Sequence, residues 1–134
     1  MAKRVLIVDD EVNIAETLRE FVEEDGYDVT TVNNGKKAIE AYERALKKDQ
    51  PFHMILLDIV MPRMSGLEVL DMIRQDEKSR QVSPEEKVPI IMLSGLKESW
   101  MNDAYQDGCN DYLVKPYDMD VLMGKIKKMI GEPA

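Results

Sequence analysis

The sequence predicts an α/β fold, a doubly wound parallel sheet of five strands with five helices packed on its two faces. Two observations carry this. Short apolar runs alternate regularly with longer segments of helical period, the pattern of a parallel α/β sheet. Three of those runs, Val5-Leu6-Ile7-Val8, Met54-Ile55-Leu56-Leu57 and Ile90-Ile91-Met92-Leu93, are continuously apolar, as strands covered on both sides must be.

Taken in order, the first strand is the Val5–Val8 run, and Ile14, Leu18, Phe21 and Val22 then form the core stripe of a first helix that Gly26 stops. The second strand, Val29-Thr30-Thr31-Val32, is half polar and suits a sheet edge. Asn34 caps a second helix whose stripe is Ala38, Ala41, Tyr42 and Ala45. After the third strand, Ser65-Gly66-Leu67-Glu68 reads as a capping box opening a third helix with Leu70 and Ile73 inside. Residues 75–87 are strongly charged and read as a solvated surface insertion, in which Ser83-Pro84-Glu85-Glu86 allows about one helical turn before Val88-Pro89. The fourth strand follows, then a helix ended by Gly108, a short strand Tyr112-Leu113-Val114, and a last helix capped by Asp118 with Leu122, Ile126, Met129 and Ile130 inside.

The chain has 134 residues, enough for one domain spanning 1–134, with no output domain expected. Its 18 Lys and Arg against 26 Asp and Glu give a formal net charge of −8, which repels phosphate backbones and anionic lipid surfaces. Direct nucleic-acid binding is therefore not expected. A lone cysteine, Cys109, excludes an intrachain disulfide and reads as a small packed residue. The solitary histidine, His53, reads as an incidental surface residue. Only Val5–Val8 separates the basic start from Asp9, too short for a secretory signal, and no run approaches the roughly 20 apolar residues of a membrane span. The expectation is a cytoplasmic protein without membrane insertion.

Ligand sites of open α/β sheets lie outside the carboxyl ends of the strands. Reading those ends gives Asp9, Asp10, Asp58, Ser94 and Lys115. Three converging carboxylates repel one another unless a cation joins them, and an all-oxygen set suits magnesium. Asp9 and Asp10 have an alternative role in complementing the start of the first helix. Asp58 follows four apolar residues and has no helix start immediately beside it. A carboxylate beside a divalent cation, a hydroxyl and a lysine is a nucleophile arranged for phosphoryl transfer, and Gly95 leaves room for the incoming group.

These residues resemble the receiver domain of two-component response regulators, of which the chemotaxis regulator is the familiar single-domain member. The matching motifs are Ile7-Val8-Asp9-Asp10-Glu11, Leu56-Leu57-Asp58-Ile59-Val60-Met61-Pro62 with Ser65-Gly66, Leu93-Ser94-Gly95, and Gly108 through Pro116. The resemblance implies a flavodoxin-like sheet of order 2-1-3-4-5. It implies that Asp58 accepts a phosphoryl group from a histidine kinase or histidine phosphotransfer protein. Asp9, Asp10, Asp58 and the Val60 main-chain carbonyl would ligate Mg2+, Lys115 would pair with the phosphoryl group, and Ser94 with Tyr112 would form a switch. The Lys115-Pro116 bond is expected to be cis. Output would pass through the fourth helix, fifth strand and fifth helix, with Trp100, Tyr105 and Tyr112 on that face, to a downstream protein, as a monomer or a phosphorylation-dependent dimer.

Val60 and Leu96 are apolar where faster members carry side chains that hold water, so slow hydrolysis is expected. Ser94 stands where threonine is commoner, and Tyr117 where phenylalanine is common. Two rival readings remain: an aspartyl-phosphate hydrolase, which lacks a second acid/base carboxylate at Val60, and a degenerate receiver acting as an unphosphorylated interaction module.

Overall fold

The computed structural model describes residues 2–95 and 98–134. Its elements run β1 (Arg4–Val8), α1 (Val12–Glu24), β2 (Asp28–Val32), α2 (Gly35–Lys47), β3 (Met54–Asp58), α3 (Gly66–Ser79), a 3-10 turn (Pro84–Glu86), β4 (Ile90–Ser94), α4 (Glu98–Gln106), β5 (Asp111–Val114) and α5 (Met119–Ile130). All strand pairs are parallel and the order is β2-β1-β3-β4-β5. This is the sheet expected from the sequence.

Alternation along the strands divides the core into two layers. Leu6, Val8, Ile55, Leu57, Ile90 and Met92 meet Ala38 and Tyr42 of α2, Val69 and Ile73 of α3, and Ala104 of α4. Val5, Ile7, Met54, Leu56, Ile91 and Leu93 point the other way, onto Leu18 and Val22 of α1 and Leu122 and Ile126 of α5. Each central strand thus needs apolar residues at every position, whereas edge strand β2 leaves Asp28 exposed and its threonines half-buried.

The expected caps form. Asn34 Oδ1 accepts the Lys37 N–H at 2.8 Å, Ser65 Oγ accepts from Glu68 at 3.3 Å, and Asp118 accepts from Asp120. Gly26 and Gly108 sit just past α1 and α4 with φ near 101° and 103°, where a side chain would be strained. The Lys115-Pro116 peptide is cis.

Two expectations need correction. Phe21 is 42% exposed and does not join the core; Ala15 shares the buried stripe with Leu18 and Val22 instead. The charged segment 75–87 is not wholly a surface insertion: α3 continues to Ser79, and Glu77 is 2% exposed. Glu77 lies one turn beyond Ile73 on the same helical face as Val69 and Leu70, so it is carried into the core. There its Oε1 accepts from Arg74 at 2.6 Å and its Oε2 from the Val88 N–H at 2.8 Å. His53, ahead of β3, also has a structural role, since its Nδ1 accepts the N–H of Arg4, the first residue of β1, at 2.9 Å.

Candidate functional site

Because the strands are parallel, their carboxyl ends share one edge of the sheet, and every polar residue singled out there in the sequence arrives together. Asp9 follows β1, Asp58 closes β3, Ser94 closes β4 and Lys115 follows β5. Their spacing is fixed by main-chain bonds between neighbouring strand ends: Asp9 N–H to Val32 O at 3.2 Å, Ile59 N–H to Leu93 O at 3.2 Å, and Lys115 N–H to Ser94 O at 2.7 Å. The site lies where β1 has β2 on one side and β3 on the other, the point at which the winding of the sheet reverses.

One carboxylate oxygen from each of Asp9, Asp10 and Asp58 lies within 4.8 Å of the other two. Asp9 and Asp58 are buried and Asp10 is half-buried. The Lys115 ammonium donates to Asp9 Oδ2 at 3.3 Å and to Asp58 Oδ2 at 3.2 Å. Asp9 Oδ1 accepts the Glu11 N–H at 2.9 Å, and Asp58 Oδ1 accepts the Val60 N–H at 3.3 Å. Asp9 therefore closes a turn onto the residue that precedes α1 with one oxygen, while no side chain caps that helix, and its other oxygen faces the cluster.

Burial pushes the Asp58 carboxyl up to about 6; Lys115 works against that shift and Asp9 adds to it. Burial draws the Lys115 ammonium down, but Asp58 and Asp9 outweigh it, so its pKa is raised. Tyr117, half-buried beside the same groups, has its phenol pushed up to about 12, chiefly by burial. A single ammonium shared by crowded carboxylates leaves excess negative charge on oxygen donors. That donor set fits a hard cation such as magnesium, which accepts carboxylate oxygen, main-chain carbonyl and water.

Ser94 is 1% exposed and Tyr112 is 7% exposed, and among the described residues neither hydroxyl makes a hydrogen bond of good geometry, although the two lie beside each other. The Tyr112 phenol is raised by burial, with the neighbouring Ser94 hydroxyl acting in the opposite direction. Gly95 faces open space. Val60 is 56% exposed, while Leu96 lies outside the described residues. On α4, Trp100 packs partly buried against the same core layer as Tyr112, and Tyr105 is 46% exposed with its hydroxyl donating to Asp111 Oδ1 at 3.3 Å. Cys109 is buried, and desolvation lifts its thiol to about 11, which removes it from thiolate chemistry.

Sequence reasoning placed Gly66 in a helix start and in the motif that follows Asp58, and gave it no role of its own. In the structure its main-chain N–H donates to Ile59 O at 2.8 Å, directly beside Asp58. No spacing in the sequence announces that approach, which arises when α3 returns to the end of β3.

The model of the response regulator receiver domain matches residues 5–127. Among similar proteins, the transcriptional regulatory protein CrdR of Helicobacter pylori is 32% identical over 98% of this chain and 57% of its own length. The response regulator ArlR of Staphylococcus saprophyticus is 33% identical over 95% of this chain and 52% of its own length. The chain thus spans about half the length of the curated relatives it matches. Among solved structures, the chemotaxis response regulator CheY4 of Vibrio cholerae superposes with a TM-score of 0.81 at 25% identity, covering 96% of this chain and 99% of that one. The response regulator TrrA of Thermotoga maritima, solved in complex with Mg2+ and BeF, superposes with a TM-score of 0.76 at 34% identity, covering 95% and 98%.

Proposed function

Since the chain belongs to the response regulator receiver domain family, we propose that Asp58 is its phosphoacceptor, served by Lys115, Ser94 and a magnesium ion held by Asp9, Asp10, Asp58 and the Val60 carbonyl. The observation that carries this reading is the cluster itself: three carboxylates within 4.8 Å of one another, two of them bonded to one lysine. The ion supplies charge neutralisation for the carboxylates and for the transferring phosphoryl group. The chain's own residues do the rest. The Asp58 carboxyl, at about 6, is mostly ionised near neutral pH and presents an oxygen nucleophile. That oxygen bonds to phosphorus as the bond to the donor histidine nitrogen breaks, and the electron pair returns to the imidazole. Lys115, already within bonding distance of Asp58, donates to a phosphoryl oxygen, and the unpartnered Ser94 hydroxyl donates to another.

The donor is a histidine kinase or a histidine phosphotransfer protein. Once Ser94 turns to the phosphoryl group it leaves the Tyr112 hydroxyl, which already lies buried beside it, and the change is read on the α4–β5–α5 face beside Tyr105 and Trp100. The readout is a downstream protein or a second copy of the domain. Among the described residues no helix is long and apolar enough to cross a membrane, and we assign the cytoplasm as the compartment in which a kinase-to-receiver transfer takes place.

Incubation with acetyl phosphate and magnesium chloride tests the acceptor. The intact chain gains one phosphoryl mass, and Asp58→Asn gains none; equal labelling of that variant sinks the assignment. Lifetime follows from Val60, whose exposed apolar side chain offers no hydrogen bond to an attacking water. Val60→Asn shortens the half-life of the label several-fold, and an unchanged half-life refutes that role.

A further inference from the structure

We propose that Gly66 is a positioning residue of the acidic site: its missing side chain lets the start of α3 close against the backbone of Asp58 and Ile59, which fixes the acceptor carboxylate and the neighbouring carbonyl. The inference rests on the metal and acceptor reading above and extends it to a residue that touches neither metal nor phosphoryl group.

The segment from Ile59 to Ser65 leaves β3 and returns to it. Ile59 and Met61 anchor the loop in the core at 3% and 7% exposure, while Val60 between them is exposed. The loop is closed by the Gly66 N–H donating to Ile59 O at 2.8 Å. A Cβ at Gly66 would overlap the Asp58 carbonyl oxygen outright and would stand 2.8 Å from the Asp58 carbonyl carbon and 2.9 Å from Ile59 Cα. All three are main-chain atoms of the strand end that carries the acceptor, so no side-chain rotation relieves the overlap.

Gly35 provides the contrast. It too is the first residue of its helix, and a Cβ there would also meet atoms at 2.9 Å, but those are Cβ, Cγ and Sδ of Met64, none of them in the strand end that carries the acceptor. Glycine at 35 is a matter of local packing. At 66 the β3 end and α3 must separate before any side chain fits, and the Asp58 carboxylate and the Val60 main chain move with the strand end. A displacement near 1 Å in a positioned reacting group is worth on the order of a hundredfold in rate.

The test compares Gly66→Ala with Gly124→Ala, on α5, where a Cβ meets nothing within 4 Å. Both are checked by circular dichroism, titrated calorimetrically with magnesium chloride, and labelled with acetyl phosphate. Gly66→Ala is expected to weaken magnesium binding about tenfold or more and to slow labelling by about 10–100-fold, whereas Gly124→Ala leaves both unchanged. A folded Gly66→Ala with parental magnesium affinity and labelling rate overturns the proposal.

Amide hydrogen exchange on the unaltered chain decides the matter if Gly66→Ala does not fold. When opening of the Gly66 to Ile59 bond also dismantles the ligand set, magnesium binds only the closed form. At ten times its dissociation constant it then slows exchange of the Gly66 amide about tenfold. The Lys37 amide, bonded to the cap of α2, serves as reference and keeps its rate. A Gly66 amide that ignores bound magnesium overturns the inference while leaving the acceptor reading intact. An unaltered chain that binds no magnesium overturns both.

Discussion

Asp58 and Glu77 are both carboxylates buried to within a few per cent of complete, yet they stand at opposite ends of the sheet in opposite states. Glu77, near the amino ends of β4 and β5, has both oxygens taken by short bonds from Arg74 and the Val88 N–H. Arg74 is itself used fully: it donates to Gly108 O at 2.9 Å and to Asn110 Oδ1 at 3.0 Å, and that same oxygen accepts the Ile90 N–H at 2.9 Å. Asp58 makes two longer contacts, of 3.2 and 3.3 Å, and shares its lysine with Asp9. A buried charge that serves the fold is saturated with partners. One that serves chemistry is left short of them, and the shortage is what a cation and a phosphoryl group can fill.

The largest effect that can break this comparison is Glu77→Ala. It strands the Arg74 guanidinium and the Val88 N–H together, and it is expected to lower stability by about 3–5 kcal/mol in urea denaturation. A loss below about 1 kcal/mol would mean that the network is incidental and that the two carboxylates do not differ in kind.

Asp58→Asn should act in the opposite direction. With the folded pKa at about 6 against an ordinary 3.8, the native state without metal disfavours the ionised form. Below about pH 4 the carboxyl is protonated in both folded and unfolded chains and the substitution gains nothing. As the pH rises through the window from about 4 to 6 the native state loses stability, so above it Asp58→Asn is more stable by about 3 kcal/mol in the presence of chelator. Magnesium reverses the ranking, because binding the parent at 1,000 times its dissociation constant adds about 4.1 kcal/mol that the variant does not recover. Thermal melts at pH 4 and pH 7, with chelator and with magnesium, read the whole pattern. A gain from Asp58→Asn that persists at pH 4 would assign it to packing and not to charge.

The same contrast explains what was legible in the sequence. A strand covered on both faces must be apolar at every position, so β1, β3 and β4 announce themselves, and a residue just past such a run is placed at the carboxyl edge by topology alone. Asp9, Asp58, Ser94 and Lys115 were readable for that reason. Glu77 was misread because its neighbours from Gln75 to Gln81 are polar, although its spacing from Val69, Leu70 and Ile73 continues the buried stripe. The ends of α2 and α3 carried no glycine signal: Asp49 and Gln81 take the left-handed conformation there, with φ of 56° and 58°. The fit of Gly66 against Asp58 depends on where α3 returns to the sheet, a distance that no local pattern encodes.

The smallest effect sharpens the comparison at the level of single hydroxyls. Tyr42 and Tyr112 are both buried tyrosines facing the α2–α3–α4 side of the sheet. The Tyr42 hydroxyl donates to Asp76 at 2.7 Å and accepts from Arg80 at 3.0 Å, whereas among the described residues the Tyr112 hydroxyl makes no bond of good geometry and has only the Ser94 hydroxyl beside it. Removing an oxygen that makes two bonds to half-exposed charges is worth about 1 kcal/mol, so Tyr42→Phe should be measurably less stable. Removing a buried oxygen that makes none takes away only its desolvation penalty, so Tyr112→Phe should stay within about 0.5 kcal/mol of the parent or exceed it. Paired urea titrations without metal measure both. If Tyr112→Phe loses 1 kcal/mol or more, its hydroxyl is bonded in the resting protein, and Tyr112 belongs with the saturated groups around Glu77 instead of the unfilled ones around Asp58.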